Sequence, residues 1–154
     1  MTANQILHET IVIERTLDAV VARVFASFAD PVFRAKWGVP SDTAIIIYDE
    51  ANFAIGGRDV FRCGAKSDPK YRGETHYLHI VPESYIVSSE TIDAHGERMS
   101  ASLTTVQFMP KGTQTKLTLT VQVAAFEGRD IIEDTKFGHN AALANLAKAL
   151  SGVV

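Results

Sequence analysis

The chain has 154 residues, 46% of them hydrophobic and 21% charged, with a net charge of −3. That balance suits one soluble domain, residues 1–154, able to bury a substantial core, and Lys and Arg occur singly, so neither nucleic acid nor a charged membrane surface has a compositional footprint. A single cysteine, Cys63, excludes an intrachain disulfide, no Cys/His spacing forms a metal cage, and no cofactor motif is present.

The opening MTANQILHETIVIER has no basic start followed by an apolar stretch, and no window approaches the roughly 18 apolar residues of a membrane span. These features point to a cytoplasmic protein. His8 to Thr16 reads as a first strand from its β-branched alternation. Asp18 is a candidate N-cap for a helix whose Val21, Val24, Phe25 and Phe28 follow the i, i+3, i+4, i+7 spacing of an apolar stripe. Asp30-Pro31 starts a second short helix, with Phe33 and Trp37 one turn apart before Gly38.

Strands are then predicted over Thr43 to Tyr48, Phe53 to Gly57 and Arg58 to Cys63, with a bend at Gly56-Gly57. Strands 71–81 and 85–93 flank Pro82-Glu83-Ser84, and further hairpins turn near His95-Gly96 and Lys111-Gly112. In the last strand Leu117, Leu119, Val121 and Val123 share one face, while Thr118, Thr120 and Gln122 share the other. After Gly128, Asp130 is a candidate cap for a helix of about 20 residues. One face carries Ile132, Thr135, His139, Ala142, Leu146 and Ala149, and its neighbour carries Ile131, Leu143, Ala147 and Leu150. The expected fold class is α+β, a curved antiparallel sheet wrapped around the long C-terminal helix, with two short helices between the first two strands.

A sheet that grips one helix tends to leave a hollow suited to a small ligand. Candidate lining residues are Phe33, Trp37, Phe53, Phe61, Tyr77, Ile86, Leu103, Leu119, His139 and Leu143. Each of them also suits ordinary core packing, the commoner role for such a residue. His139 can hydrogen-bond a ligand or shuttle a proton, or be a satisfied core imidazole. Arg58, Arg62 and Glu90 lie on strands. An inward arginine paired with Glu90 would hold a polar ligand head, whereas an exposed cross-strand pair would not. Tyr48, Tyr71 and Tyr77 can each offer a phenol. His76 and His79, three apart on a strand, are expected on opposite faces, which argues against a metal pair. No nucleophile elbow, phosphate cradle or catalytic constellation is present, so no catalytic residue is assigned.

The segments VARVFASFADPVFRAKWG at 21–38, Gly56-Gly57 with Phe61-Arg62, RGETHYLHIVPESYIVSSE at 72–90 and KGTQTKLTLT at 111–120 give the chain a specific resemblance. In order and spacing they resemble the START and birch-pollen-allergen superfamily, SRPBCC, and within it the branch of homologues of the activator of the heat-shock protein ATPase. The resemblance covers nearly the whole chain and implies the helix-grip fold. One departure is at Gly138, which relatives often follow with an aromatic residue and which here precedes His139.

Three functions follow from it. The first is binding of a hydrophobic small molecule, a lipid, polyketide or aromatic compound, with Phe33, Trp37, Phe53, Arg58, Phe61, Tyr77, Glu90, His139 and Leu143 as its contacts. The second is a chaperone-directed interaction module, although the chain lacks the extra domain of the namesake. The third is a cyclase or hydrolase that positions its substrate with His139, Glu90 or Arg58. Exposed sheet edges permit a homodimer as well as a monomer.

Overall fold

The computed structural model describes residues 5–126 and 128–151. Its elements in chain order are β1 (Leu7–Leu17), α1 (Val21–Ala29), α2 (Pro31–Trp37), β2 (Ala44–Glu50), β3 (Arg58–Ala65), β4 (Asp68–Val81), β5 (Tyr85–Ala94), β6 (Glu97–Lys111), β7 (Gln114–Ala125) and α3 (Arg129–Leu150). The strands form one seven-stranded sheet in the order β1-β7-β6-β5-β4-β3-β2, every neighbouring pair antiparallel. This is the α+β helix-grip arrangement expected from the sequence.

The alternation in β7 sets the core. Leu117, Leu119, Val121 and Val123 are all buried, and they meet Ile11, Ile13 and Leu17 of β1 and Ile132, Leu143, Leu146 and Leu150 of α3. The C-terminal helix thus packs on β1 and β7, at one side of the sheet. Toward β2–β5 the sheet curls away from it, helped by register shifts at Tyr48/Glu50, Cys63/Ala65, Tyr77/His79 and Ile92/Asp93.

Helices α1 and α2 close one end of this curl. Asp30 caps α2 through its carboxylate, which accepts from the Val32 N–H at 2.9 Å, and Pro31 occupies the first helical turn. From α1, Phe25 and Phe28 pack edge-on against Phe108, and Phe28 also meets Trp37, at centroid distances of 5.5, 5.4 and 4.9 Å.

Four local expectations are corrected. Asp18 does not cap α1, because the helix begins at Val21 with Val20 in the capping position and without a side-chain cap. Residues 53–57 are a loop and not a strand, since Gly56 has φ +83° and the Gly57 N–H closes a turn onto the Ala54 carbonyl at 2.7 Å. Asp130 lies inside the first turn of α3, where it meets the helix dipole, and Gly128 takes the capping position with φ +109°. The shift in β4 after Tyr77 leaves the side chains of both His76 and His79 exposed, so the opposite-face expectation fails at that bulge.

The far end of the Phe61 ring of β3 lies over Gly73 of β4, its register partner. A Cβ at position 73 would clash with Cζ of the Phe61 ring. The ring can occupy this part of the floor only because the position is glycine. Gly73→Ala is therefore expected to cost about 1–3 kcal/mol through overpacking and to lower the thermal midpoint by several degrees. An unchanged midpoint would show that the ring does not lie there.

Candidate functional site

Between α3 and the inner face of β2–β6 lies a hollow of about 440 Å³. Two features of α3 keep it open. Thr135, Gly138, His139 and Ala142 form one stripe facing the hollow, and two of those four are the small residues glycine and alanine. A Cβ built at Gly138 would meet nothing within 4 Å. The helix is also tied to the roof by Asn145 Nδ2, which donates to the Val39 carbonyl at 2.6 Å.

A polar cluster sits in one wall. Arg34 of α2 is buried, and its guanidinium donates from Nε to Tyr48 Oη at 2.9 Å, from Nη1 to the Phe28 carbonyl at 2.7 Å and Tyr77 Oη at 3.0 Å, and from Nη2 to Asp59 Oδ2 at 2.8 Å. Tyr77 in turn donates to Asp59 Oδ2 at 2.5 Å, and Asp59 Oδ1 accepts from the Asn52 N–H at 3.1 Å. The side chains of Arg34 and Asp59 are 11% and 3% exposed, so their ion pair is shielded from solvent. Such a pair stands only with its remaining hydrogen bonds made, as they are here. Burial pushes both the Tyr77 and Tyr48 phenols up, against the opposing pull of Arg34, so both are neutral at physiological pH.

Beside this cluster Glu90 of β5 faces the hollow and accepts from Thr75 Oγ1 at 2.9 Å. Removal from water raises its carboxyl above the usual range, and the nearby Asp59 charge adds to this, while the Thr75 bond and Arg34 act in the opposite sense. Cys63, lining the same wall, is pushed up to about 11 by burial and by Glu90, and is therefore a thiol. On the helix side, burial lowers the His139 imidazole below its ordinary value. Neither ring nitrogen has a hydrogen-bond partner among the described residues.

Of the residues singled out from sequence, Trp37, Phe53, Phe61, Tyr77, Glu90, His139 and Leu143 all line the hollow, as do Ile86 and Leu119. Phe33 does not. It packs from α2 against the edge of the core. Arg58 lies on the outer face of the sheet, where its guanidinium bonds both Glu50 oxygens at 3.0 and 3.1 Å and Glu74 at 3.1 Å. Arg62 likewise pairs outward with Asp49 at 2.9 Å. Arg58 and Arg62 thus form the exposed cross-strand pairs that were the alternative to an inward arginine, and the inward pair is Arg34 with Asp59. Period-two alternation explains the correction, because Asp59, Phe61 and Cys63 share the inner face of β3 and Arg58 and Arg62 share the outer one. Leu103, 38% exposed, is outside the hollow, since Thr104 and Val106 take the inward positions of β6.

Arg34 and Asp59 were not singled out from sequence. The signals were present: Arg34 stands one turn before Trp37 on α2, and Asp59 two residues before Phe61 on β3.

This hollow is framed by elements that the comparisons place in a known family. Residues 18–151 match the model of the activator of Hsp90 ATPase homolog 1-like protein family. The chain belongs to that family. Among solved structures it is similar to the Mll3558 protein of Rhizobium loti, 36% identical over 94% of this chain and 98% of that one with a TM-score of 0.83. It is also similar to an uncharacterized protein from Rhizobium leguminosarum, 30% identical over 96% and 97% of the two chains with a TM-score of 0.83. The fold extends to protein CV1439 of Chromobacterium violaceum, at 24% identity over 92% and 96% and a TM-score of 0.80. A search among curated proteins finds no match.

Removing one member of the buried ion pair strands the other without compensation. Asp59→Ala is expected to destabilise the protein by about 3–5 kcal/mol, measured by urea unfolding; a loss like that of an exposed pair would contradict the role of Asp59. A second prediction concerns pH. The unfolded His139 imidazole takes a proton near 6.5, and the folded one only at lower pH. Its contribution to stability is therefore complete above that value and declines as pH falls. Between about pH 7 and pH 5 the parent should lose more stability than His139→Leu; parallel curves would contradict the apolar setting of the ring.

Proposed function

We propose that the protein binds a small, largely apolar molecule carrying a polar end, in the hollow between the sheet and α3. The observation that carries this reading is the hollow itself. Its volume of about 440 Å³ falls within the range of small-molecule sites, and apolar walls enclose a few convergent polar groups. Trp37, Phe53, Phe61, Ile86, Leu119 and Leu143 would embrace the apolar body, and Tyr48, Glu90 and His139 would meet the polar end.

The remaining polar side chains are consistent with binding more than with catalysis. Cys63 is held as a thiol and is a poor nucleophile, and the phenols are held neutral. The buried ion pair spends its hydrogen bonds within the protein. What remains is a shaped, pre-formed space of fixed polarity.

Gly138 provides the test, because it lines the hollow and a Cβ there meets nothing within 4 Å. The neutral fluorophore N-phenyl-1-naphthylamine should bind the parent with saturable enhancement. Gly138→Phe should weaken that binding at least about tenfold while the thermal midpoint holds or rises, since a helix-interior glycine costs about 0.5–1 kcal/mol relative to alanine. Equal binding by parent and variant would place the dye elsewhere and remove the support for this reading.

A further inference from the structure

A site for an acidic ligand needs a cation to offer, and the only arginine or lysine among the described lining residues has little to give. Arg34 donates four hydrogen bonds from its five N–H groups to Tyr48, Phe28, Tyr77 and Asp59, and its charge is matched by Asp59 at 2.8 Å. A carboxylate entering the hollow would lose its water and meet no free positive charge, and Asp59 would repel it.

Glu90 presents the opposite chemistry. Its Oε2 accepts from Thr75 Oγ1, which fits the carbonyl oxygen of a carboxylic acid. Its Oε1 has no partner among the described residues, and the side chain lines the hollow. No lysine or arginine among the described residues forms an ion pair with it, and burial favours its protonated form. In the acid form that burial favours, the Thr75 bond to Oε2 leaves Oε1 to carry the proton as a donor. Tyr48 repeats the pattern, because its Oη accepts from Arg34 while its own proton goes to no described residue. The polar end of the hollow is thus rich in neutral donors and poor in available charge.

We propose that the hollow selects neutral apolar molecules bearing a hydrogen-bond acceptor, such as a ketone or ester carbonyl, which Glu90 in its acid form engages as a donor, and that it discriminates against carboxylates of the same shape. This rests on the reading of the hollow as a ligand site. Glu90 is here a recognition residue, and Thr75 orients it by occupying the other oxygen.

Three probes of one shape separate the possibilities: 2-acetylnaphthalene with a ketone, 2-ethylnaphthalene without one, and 2-naphthoate with a charge. They are titrated calorimetrically into the full chain at about pH 6, where the naphthoate is ionised. The ketone should bind at least about tenfold more tightly than either of the others, because the ethyl compound offers the donor no acceptor and the naphthoate would carry an uncompensated charge out of water. Glu90→Gln, whose amide still donates, should keep that preference, and Glu90→Leu should bring the ketone down to the level of the ethyl compound. Naphthoate binding equal to or tighter than the ketone, or a ketone preference that survives Glu90→Leu, overturns the proposal and leaves the ligand site standing. If all three fail to bind, the hydrocarbon included, both readings fall. The comparison within the unaltered protein decides the matter even where a variant does not fold.

Discussion

The buried pair of Arg34 and Asp59 is the constraint from which the rest of the site follows. Five segments converge on it: α1 through the Phe28 carbonyl, α2 through Arg34 itself, β2 through Tyr48, β3 through Asp59 and β4 through Tyr77. An apolar contact at this point would have allowed the helices to slide and the sheet to close upon them. A hydrogen-bonded ion pair has one geometry, and leaving it costs the desolvation of two charges without their attraction. The two short helices are consequently fixed relative to the curled strands, and the space beneath them keeps its shape.

That space has a second cause in α3. The helix commits its large residues, Ile132, Leu143, Leu146 and Leu150, to the core it shares with β1 and β7. Toward the hollow it presents Asp134, Thr135, Gly138, His139, Ala142 and the edge of Leu143, with the small residues Gly138 and Ala142 at the centre of that face. Dispersion and hydrophobic burial would favour filling such a gap, since protein interiors are close-packed. Here the helix leaves open space at Gly138, and the opposing wall is held back by the ion pair and by Phe61 resting on Gly73. Stability and an open interior are thereby assigned to different parts of the same sheet. The consequence for function is a pocket whose one buried ion pair is satisfied within the protein, and which faces its occupant with apolar walls, neutral donors and the exposed carboxylate of Asp134.

Much of the architecture was legible in the residues. The alternation of Leu117 to Val123, the cap at Asp30-Pro31 and the turns at His95-Gly96 and Lys111-Gly112 each follow from local chemistry, and each sits where the pattern put it. Asp18 and Asp130 show the limit of that reasoning, since a capping residue only marks a helix start when the backbone turns within its reach. The wall of the hollow was legible to the extent that apolar residues on facing elements must converge. Its polar centre was not, because charged residues on strands are ordinarily exposed and nothing local distinguishes Asp59 from its neighbours Arg58 and Arg62 except the parity of Phe61. Arg34 was hidden for a related reason: one turn of helix carries Phe33, Arg34 and Trp37 together, and the larger apolar pair masks the arginine that points inward.

Everything proposed for the protein depends on an apolar space that remains open in the folded chain. Diffraction from crystals pressurised with xenon tests this most directly, because xenon enters dry apolar cavities and leaves an unmistakable density peak. The account predicts xenon between α3 and the inner face of β2–β5, near Phe61, Ile86 and Ala142, with the Arg34–Asp59 pair undisturbed. Side chains filling that volume, with no xenon in it, would contradict the account.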